Sequence, residues 1–244
     1  MPSRGGGIGA PWSPPGIPGG PCPAAMPVAA FPDPRSGGSD GIVAVGGDLH
    51  PDSLRLAYRQ GIFPWPTAGL PLLWFCPPER AVLEFAHLHI PRSLRAARLR
   101  APLQFTIDRA FASVIRACAD TPRPGQDGTW ITAGMVAAYT RLHRMGIVHS
   151  VEAWHGDRLV GGLYGVDVDG AFAAESMFFR EPNASKLVVL HLVEHLRGRG
   201  LDWIDIQVLT PHMARLGART ISRDAFLARL QETRARRLVL FNKE

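Results

Sequence analysis

The apolar positions change rhythm along the chain. From Phe31 to Gly146 they recur mostly at helical spacing, broken by glycine and proline. "GIVAVGGDLHPDSLRLAYRQGIFPW" predicts a short strand at Ile42 to Val45, a glycine turn, and then a helix. Pro51 suits the first turn of that helix and Gly61 its stop. "IPRSLRAARLR" predicts a short basic helix. "TIDRAFASVIRACAD" predicts another with Asp108 as its N-cap, and "AGMVAAYTRLHRMG" a third that ends at Gly146. Strict alternation follows in "HSVEAWHGDRLVGGLYGVDVDGAFAAESMFF". Turn residues at Gly156-Asp157 and Asp169-Gly170 mark it as successive hairpins. Next come a helix, "ASKLVVLHLVEHLRG", an apolar strand, "LDWIDIQVL", and helices from Pro211 and from Arg223. The pattern predicts an α+β protein. A small N-terminal α/β domain is expected over residues 31–80, and a larger one with a mostly antiparallel sheet over 81–244.

Residues 1–30 are rich in Gly and Pro and lack apolar periodicity, so a disordered extension is expected, with Met26 an alternative start. They contain no apolar run of the kind a secretory signal needs, and no stretch of the chain approaches the ~20 apolar residues of a membrane span. Cys22, Cys76 and Cys118 are odd in number and follow no metal or disulfide spacing, which fits a reducing cytoplasm. A net charge of +6 suggests an anionic partner, nucleic acid foremost, although many basic proteins bind none. The cations are nearly all arginine, with Lys186 and Lys243 the two exceptions.

No phosphate-binding GxxxxGK[ST] loop, dinucleotide GxGxxG turn or GxSxG nucleophile motif is present. The informative signals are polar residues inside apolar strands. Alternation along residues 201–209 puts Trp203, Asp205, Gln207 and Leu209 on one face, so a carboxylate and an amide are aimed together. Glu175 interrupts "FAAESMFF" in the same manner. A buried carboxylate is costly unless paired, so each reads either as a structural partner or as site chemistry. Trp65, between prolines in a loop, and Trp130, at a loop-to-helix boundary, are either interdomain plugs or stacking surfaces for a base.

These segments occur with others in a fixed order: "FPDP", "AVGGDL", "AYRQGIFPW", "RAVL", "GTWI", "HSVE", "LVGGLYGV", "ESMF", "NASK", "IDIQ" and "LGA". In that series, from Phe31 to about Phe226, the chain resembles the bacterial leucyl/phenylalanyl-tRNA–protein transferases. The resemblance implies a GNAT-like acyltransferase domain and transfer of Leu or Phe, and Met less well, from aminoacyl-tRNA. The acceptor would be the α-amine of proteins beginning with Arg or Lys, which are thereby marked for degradation. It implies Leu-tRNA and Phe-tRNA as partners, no cofactor, no metal, no membrane, a cytoplasmic location and a monomer.

By the same resemblance, Asp205, Gln207 and Glu175 are the catalytic residues. Asp205 would accept a hydrogen bond from the Gln207 amide, and Gln207 would orient the attacking amine. A substrate-assisted route through the terminal ribose is the rival. Glu175 would hold either the aminoacyl end or the incoming cationic peptide. Tyr58, Trp65, Trp130 and Tyr139 match aromatics that flank the terminal adenosine. Leu163, Phe172, Met177, Val189, Leu192 and Ile204 fall where the family lines its amino-acid pocket. Arg92, Arg95, Arg98 and Arg100 would contact the tRNA body, although Ala96 and Leu99 replace basic residues of that cluster. Ala174 stands where the family commonly has Gly, and "WFCPPER" departs from the usual Trp-Trp-Ser-Pro-Asp-Pro-Arg.

The alternatives are an acyl-CoA-dependent GNAT enzyme and a non-catalytic tRNA-binding protein. The link "FFREPNASKL" lacks the glycine that a pyrophosphate-holding turn needs, which argues against CoA. A binding protein would keep the arginines and tryptophans without needing Asp205 beside Gln207.

Overall fold

The computed structural model describes residues 28–67, 69–121 and 129–241. Most of the expected extension, with Cys22 and Met26, lies outside the described residues, but Val28 is held by a hydrogen bond from its amide to Ser53 Oγ (3.0 Å).

The N-terminal region is a three-stranded antiparallel sheet in the order β1-β3-β2: β1 (Ile42–Val45), β2 (Phe63–Trp65) and β3 (Leu73–Phe75). Helix α1 (Pro51–Arg59) connects β1 to β2 and ends before Gly61, whose φ of 77° only glycine adopts freely. Trp65 therefore closes a strand where the sequence suggested a loop; Pro64 and the brevity of β2 hide it from pattern reading.

The main sheet has seven strands in the order β10-β4-β9-β8-β7-β6-β5. In chain order, its elements begin with β4 (Glu79–Glu84), α2 (Arg92–Arg100), β5 (Leu103–Ile107), α3 (Phe111–Asp120) and α4 (Ala133–Arg144). The hairpins β6 (Val148–His155), β7 (Arg158–Val168) and β8 (Ala171–Phe179) turn at the expected residues. They are followed by α5 (Ala184–Gly198), β9 (Trp203–Gln207), α6 (Pro211–Arg215), β10 (Arg219–Ser222) and α7 (Arg223–Ala235). β4 already belongs to the large sheet, so the passage from one sheet to the other falls within residues 76–78.

Every pairing is antiparallel except β8 with β9, which α5 joins as a crossover and which meet at a single register pair, Ala173 with Asp205. The α+β expectation, with its mostly antiparallel sheet, is met. Two adjacent glycines of β7 let helices approach both faces. A Cβ on Gly161 would lie 2.8 Å from Ala184 of α5, and one on Gly162 would lie 3.0 Å from Val114 of α3. Leu163 therefore shares the α5 face, and Tyr164 the α3 face.

One expected cap is corrected. Helix α3 starts after Ala110 with no side-chain cap. Asp108, at φ 60°, instead accepts from the Ser150 amide (2.8 Å) and pairs with His149 Nδ1 (2.6 Å). A carboxylate engaged by a neighbouring strand is not available to the helix that follows it.

Candidate active site

Two bulges shape the site. On β8, Tyr164 pairs with Ser176 and Gly165 with Ala174, so Glu175 is the extra residue between them. On β9, Val82 pairs with Asp205 and Ala81 with Gln207, which leaves Ile206 unpaired. Bulges re-aim side chains and are common beside active sites. Gln207 then takes φ 53°, a left-handed conformation that ends the strand. Simple alternation over residues 201–209 thus stops at Gln207; Leu209 lies beyond the strand and is exposed.

The bulges bring Asp205, Gln207 and Glu175 together, but the pairing differs from the expected one. Asp205 is bridged twice by Arg80 of β4, Nε to Oδ1 at 2.8 Å and Nη2 to Oδ2 at 2.6 Å. Its Oδ1 also accepts from the Gln207 backbone amide (2.9 Å), which fixes the left-handed turn. The Gln207 side-chain amide donates instead to Glu175 Oε1, at 2.6 Å. The proposed Gln207 amide to Asp205 link is therefore corrected. Arg80 satisfies the carboxylate first, because a bidentate, charge-assisted bond outcompetes a neutral amide.

Arg80 is the functional residue that sequence reading missed. It is 1% exposed and lies between the rings of Phe63 and Phe226, at 4.5 and 4.4 Å from their centroids. Phe63 comes from the small sheet and Phe226 from α7, so the guanidinium sits where both regions meet. Burial alone would lower its pKa, but the Asp205 carboxylate reverses this and holds it above the usual arginine value. The available signal was an arginine directly before three apolar residues, "RAVL", inside β4.

Glu175 has no such cation against it. Tyr58 is hydrogen-bonded to its carboxyl group, and the Tyr58 and Tyr139 hydroxyls lie 2.5 Å apart, so the hydrogen bonds run in series through Tyr139, Tyr58 and Glu175. Burial pushes the Glu175 carboxyl up to about 8. The bonds from Tyr58 and Gln207 and the charge of Arg80 pull the other way without prevailing, and Asp205 adds to the rise. Burial, with Glu175 adding to it, also raises both tyrosines well above their ordinary value, which keeps them as donors.

The four aromatics expected around an adenosine divide into two pairs. Trp65 and Trp130 are partly exposed and stack on each other, with centroids 5.6 Å apart and planes at 29°. Tyr58 and Tyr139 are buried; Tyr58 turns its hydroxyl to Glu175 and Tyr139 its own to Tyr58, rather than ring faces to solvent. The two pairs are nonetheless contiguous. Trp130 precedes α4, which carries Tyr139, and Trp65 is tilted against Phe63, the ring over Arg80.

Of the expected amino-acid pocket, Leu163, Phe172, Val189, Leu192 and Ile204 are at most 2% exposed. They form core, Phe172 packing against Phe241. Met177, opposite Leu163 on the neighbouring strand, alone among the six keeps solvent contact. The arginines of α2 are exposed, but Arg98 is paired with Glu194 of α5 at 2.7 Å, and Arg95 Nε donates to the Ile90 carbonyl. Among the described residues no group of three or more His, Cys, Asp or Glu could hold a metal ion.

The chain is similar to known proteins along most of its length. Residues 82–231 match the family described as leucyl/phenylalanyl-tRNA protein transferase, and residues 47–78 match its N-terminal domain. The leucyl/phenylalanyl-tRNA–protein transferase of Anaeromyxobacter sp. (strain K) is 54% identical over 82% of this chain and 86% of its own. That of Syntrophobacter fumaroxidans is 53% identical over 79% and 82%. Among solved structures, the ribosomal-protein-alanine N-acetyltransferase of Brucella melitensis biovar Abortus 2308 is 17% identical. It covers 40% of this chain and 75% of that one, with a TM-score of 0.28. With both of its regions matched and more than half of the aligned residues identical in such relatives, the chain belongs to the leucyl/phenylalanyl-tRNA–protein transferase family.

Proposed function

We propose that the protein transfers leucine or phenylalanine, and methionine less well, from aminoacyl-tRNA to the N-terminal α-amine of proteins beginning with Arg or Lys. The observation that carries this reading is Glu175: a carboxyl group among neutral donors, tuned to about 8, beside an amide on the next strand. The acceptor amine has a pKa of ~7.7–8.0, so amine and carboxylate exchange a proton at little cost.

The donor is already an activated ester, so the reaction needs no cofactor. The chain has to orient two reactants and move one proton. Glu175 takes the proton from the incoming ammonium, whose positive charge favours the carboxylate form. Gln207 spends its amide N–H on Glu175, which leaves its carbonyl oxygen to accept from the amine and aim the nitrogen at the ester carbon. The C–N bond forms, the bond to the ribose oxygen breaks, and the amine's remaining surplus proton reaches that oxygen. Asp205 and Arg80 do not touch the reactants; they hold the turn that positions Gln207. Trp65 and Trp130 offer stacking surface for the terminal adenosine, and the α2 arginines contact the tRNA body. Such a protein acts in the cytoplasm as a monomer, on substrates destined for degradation.

The test is incubation with labelled Leu-tRNA and a peptide beginning with Arg. Label is expected on the peptide, abolished by RNase and prevented by N-terminal acetylation of the peptide. Intact tRNA binding without transfer would overturn the reading in favour of a binding protein.

A further inference from the structure

Helices α3 and α4 bury one side each, through Val114, Ile115 and Cys118 and through Met135, Tyr139 and Leu142. Their other sides border an open groove of about 720 Å³. Ile131, Val136 and the small residues Ala133 and Ala137 line it with apolar surface, and the Thr129 and Thr140 residues contribute hydroxyls. Arg116, Arg141 and Arg144 also line it. All three arginines are exposed, and none is paired with a carboxylate among the described residues. Asp120 is the one acid among the described residues of the lining.

This arrangement differs from the α2 cluster, where Arg98 is already neutralised by Glu194 and which packs toward α5. The groove belongs to the opposite face of the sheet, the face that carries Tyr164 and, against it, Tyr139. It also begins at the stacking pair, since Thr129 and Ile131 flank Trp130 in the chain. Three guanidinium groups over an apolar floor suit a phosphodiester backbone, with phosphates on the forks and riboses on the floor. The peptide acceptor, cationic at its N-terminus, would be repelled.

We infer that the α3/α4 groove binds the acceptor arm of the tRNA, immediately behind the 3′ end held at Trp65 and Trp130. This rests on the proposed use of aminoacyl-tRNA, and it adds a polynucleotide-binding surface distinct from α2.

The experiment is direct binding of Leu-tRNA across a salt series by wild type and by the double variant Arg116→Glu/Arg144→Glu, with Arg116→Lys/Arg144→Lys as the charge-conserving control. The double reversal should weaken tRNA binding at least tenfold at 0.1 M salt. It should also flatten the slope of log K against log salt by about one to two, close to one for each phosphate no longer neutralised. The lysine variant should recover most of the affinity. In transfer assays, the loss on full-length Leu-tRNA should exceed the loss on a leucyl-adenosine donor at least fivefold. Unchanged affinity and slope, or equal losses on the two donors, would overturn the inference. So would a reversal that abolishes binding of a poly-glutamate probe while leaving tRNA untouched, which would mark an acidic-protein site. Because binding is read without transfer, a wild type that binds in this way but never transfers sinks the proposed function alone. A wild type that transfers with an inert groove sinks the groove alone.

Discussion

Asp205 on β9 and Glu175 on β8 are carboxylates of neighbouring strands, the first beside a bulge and the second within one, and their surroundings are opposite in kind. Asp205 faces a buried guanidinium and a backbone amide; Glu175 faces two tyrosines in series and a neutral amide. Charge opposes charge at the first, whereas the second is hydrogen-bonded only by neutral groups, and burial raises its carboxyl to about 8. A site with one rigid ion pair and one readily protonated acid can hold a geometry and move a proton with different groups. Neither carboxylate would do both well, because the partner that fixes a charge also makes it a poor acceptor.

The sharpest way to break this contrast is to remove the guanidinium. Arg80→Met leaves Asp205 without its counter-charge in the interior, and the expected loss of stability is about 3–5 kcal/mol. Adding Asp205→Leu should restore most of it, since an apolar pair of similar size avoids the unpaired charge. Urea midpoints of the single and double variants check this. A single variant within about 1 kcal/mol of wild type would mean that Arg80 is not what holds Asp205.

Glu175→Gln probes the other half. The shape and the bond from Gln207 survive, but no proton can be taken. Turnover at saturating substrates is expected to fall about 100- to 1,000-fold, the usual worth of a positioned acid–base group. Affinity for Leu-tRNA should stay within a few-fold. If Asp205→Asn lost turnover and Glu175→Gln did not, the two roles would have to be exchanged.

Both carboxylates were legible in the sequence, and their partners were not, for a physical reason. A polar residue inside an apolar strand is a local signal, as are the Gly156-Asp157 and Asp169-Gly170 turns and the periodicity that set α5 at Ala184–Gly198. The Arg80–Asp205 bond spans 125 positions, and the Tyr58–Tyr139 bond 81, and no spacing rule reports such pairs. Bulges are equally silent: one unpaired residue at Ile206 redirected Gln207 away from the partner that alternation suggested. The short strands β2, β3 and β10 have three or four residues each and too few positions for a period to emerge. Family resemblance supplied the aromatic quartet as a set, and burial then divided it into stacking tryptophans and donor tyrosines.

Gln207 stands between the two carboxylates, its backbone amide on Asp205 and its side chain on Glu175. Gln207→Ala keeps the first bond and removes the second. More than tenfold should be lost from turnover, with stability little changed. A smaller loss would favour proton transfer assisted by the terminal ribose, with Glu175 held well enough by Tyr58 alone.

The gentlest probe is the pH dependence of stability. Glu175 has a pKa of about 8 in the folded protein, against ~4.3 for a free glutamate. Between those values the folded protein holds a proton that the unfolded chain has released. Protons bound are therefore fewer in the unfolded state, and stability from this group falls as pH rises through the window. It is fully present below the unfolded pKa and gone above the folded one. The slope is at most ~1.4 kcal/mol per pH unit, and solvent contact at the partly exposed carboxyl makes it smaller. Glu175→Gln carries no titratable group, so its advantage over wild type should widen from pH 5 to pH 8 and then level off. A constant difference across that range would mean that Glu175 is as firmly ionised as its neighbour's ion pair suggests, and the contrast between the two strands would collapse into a single buried charge network.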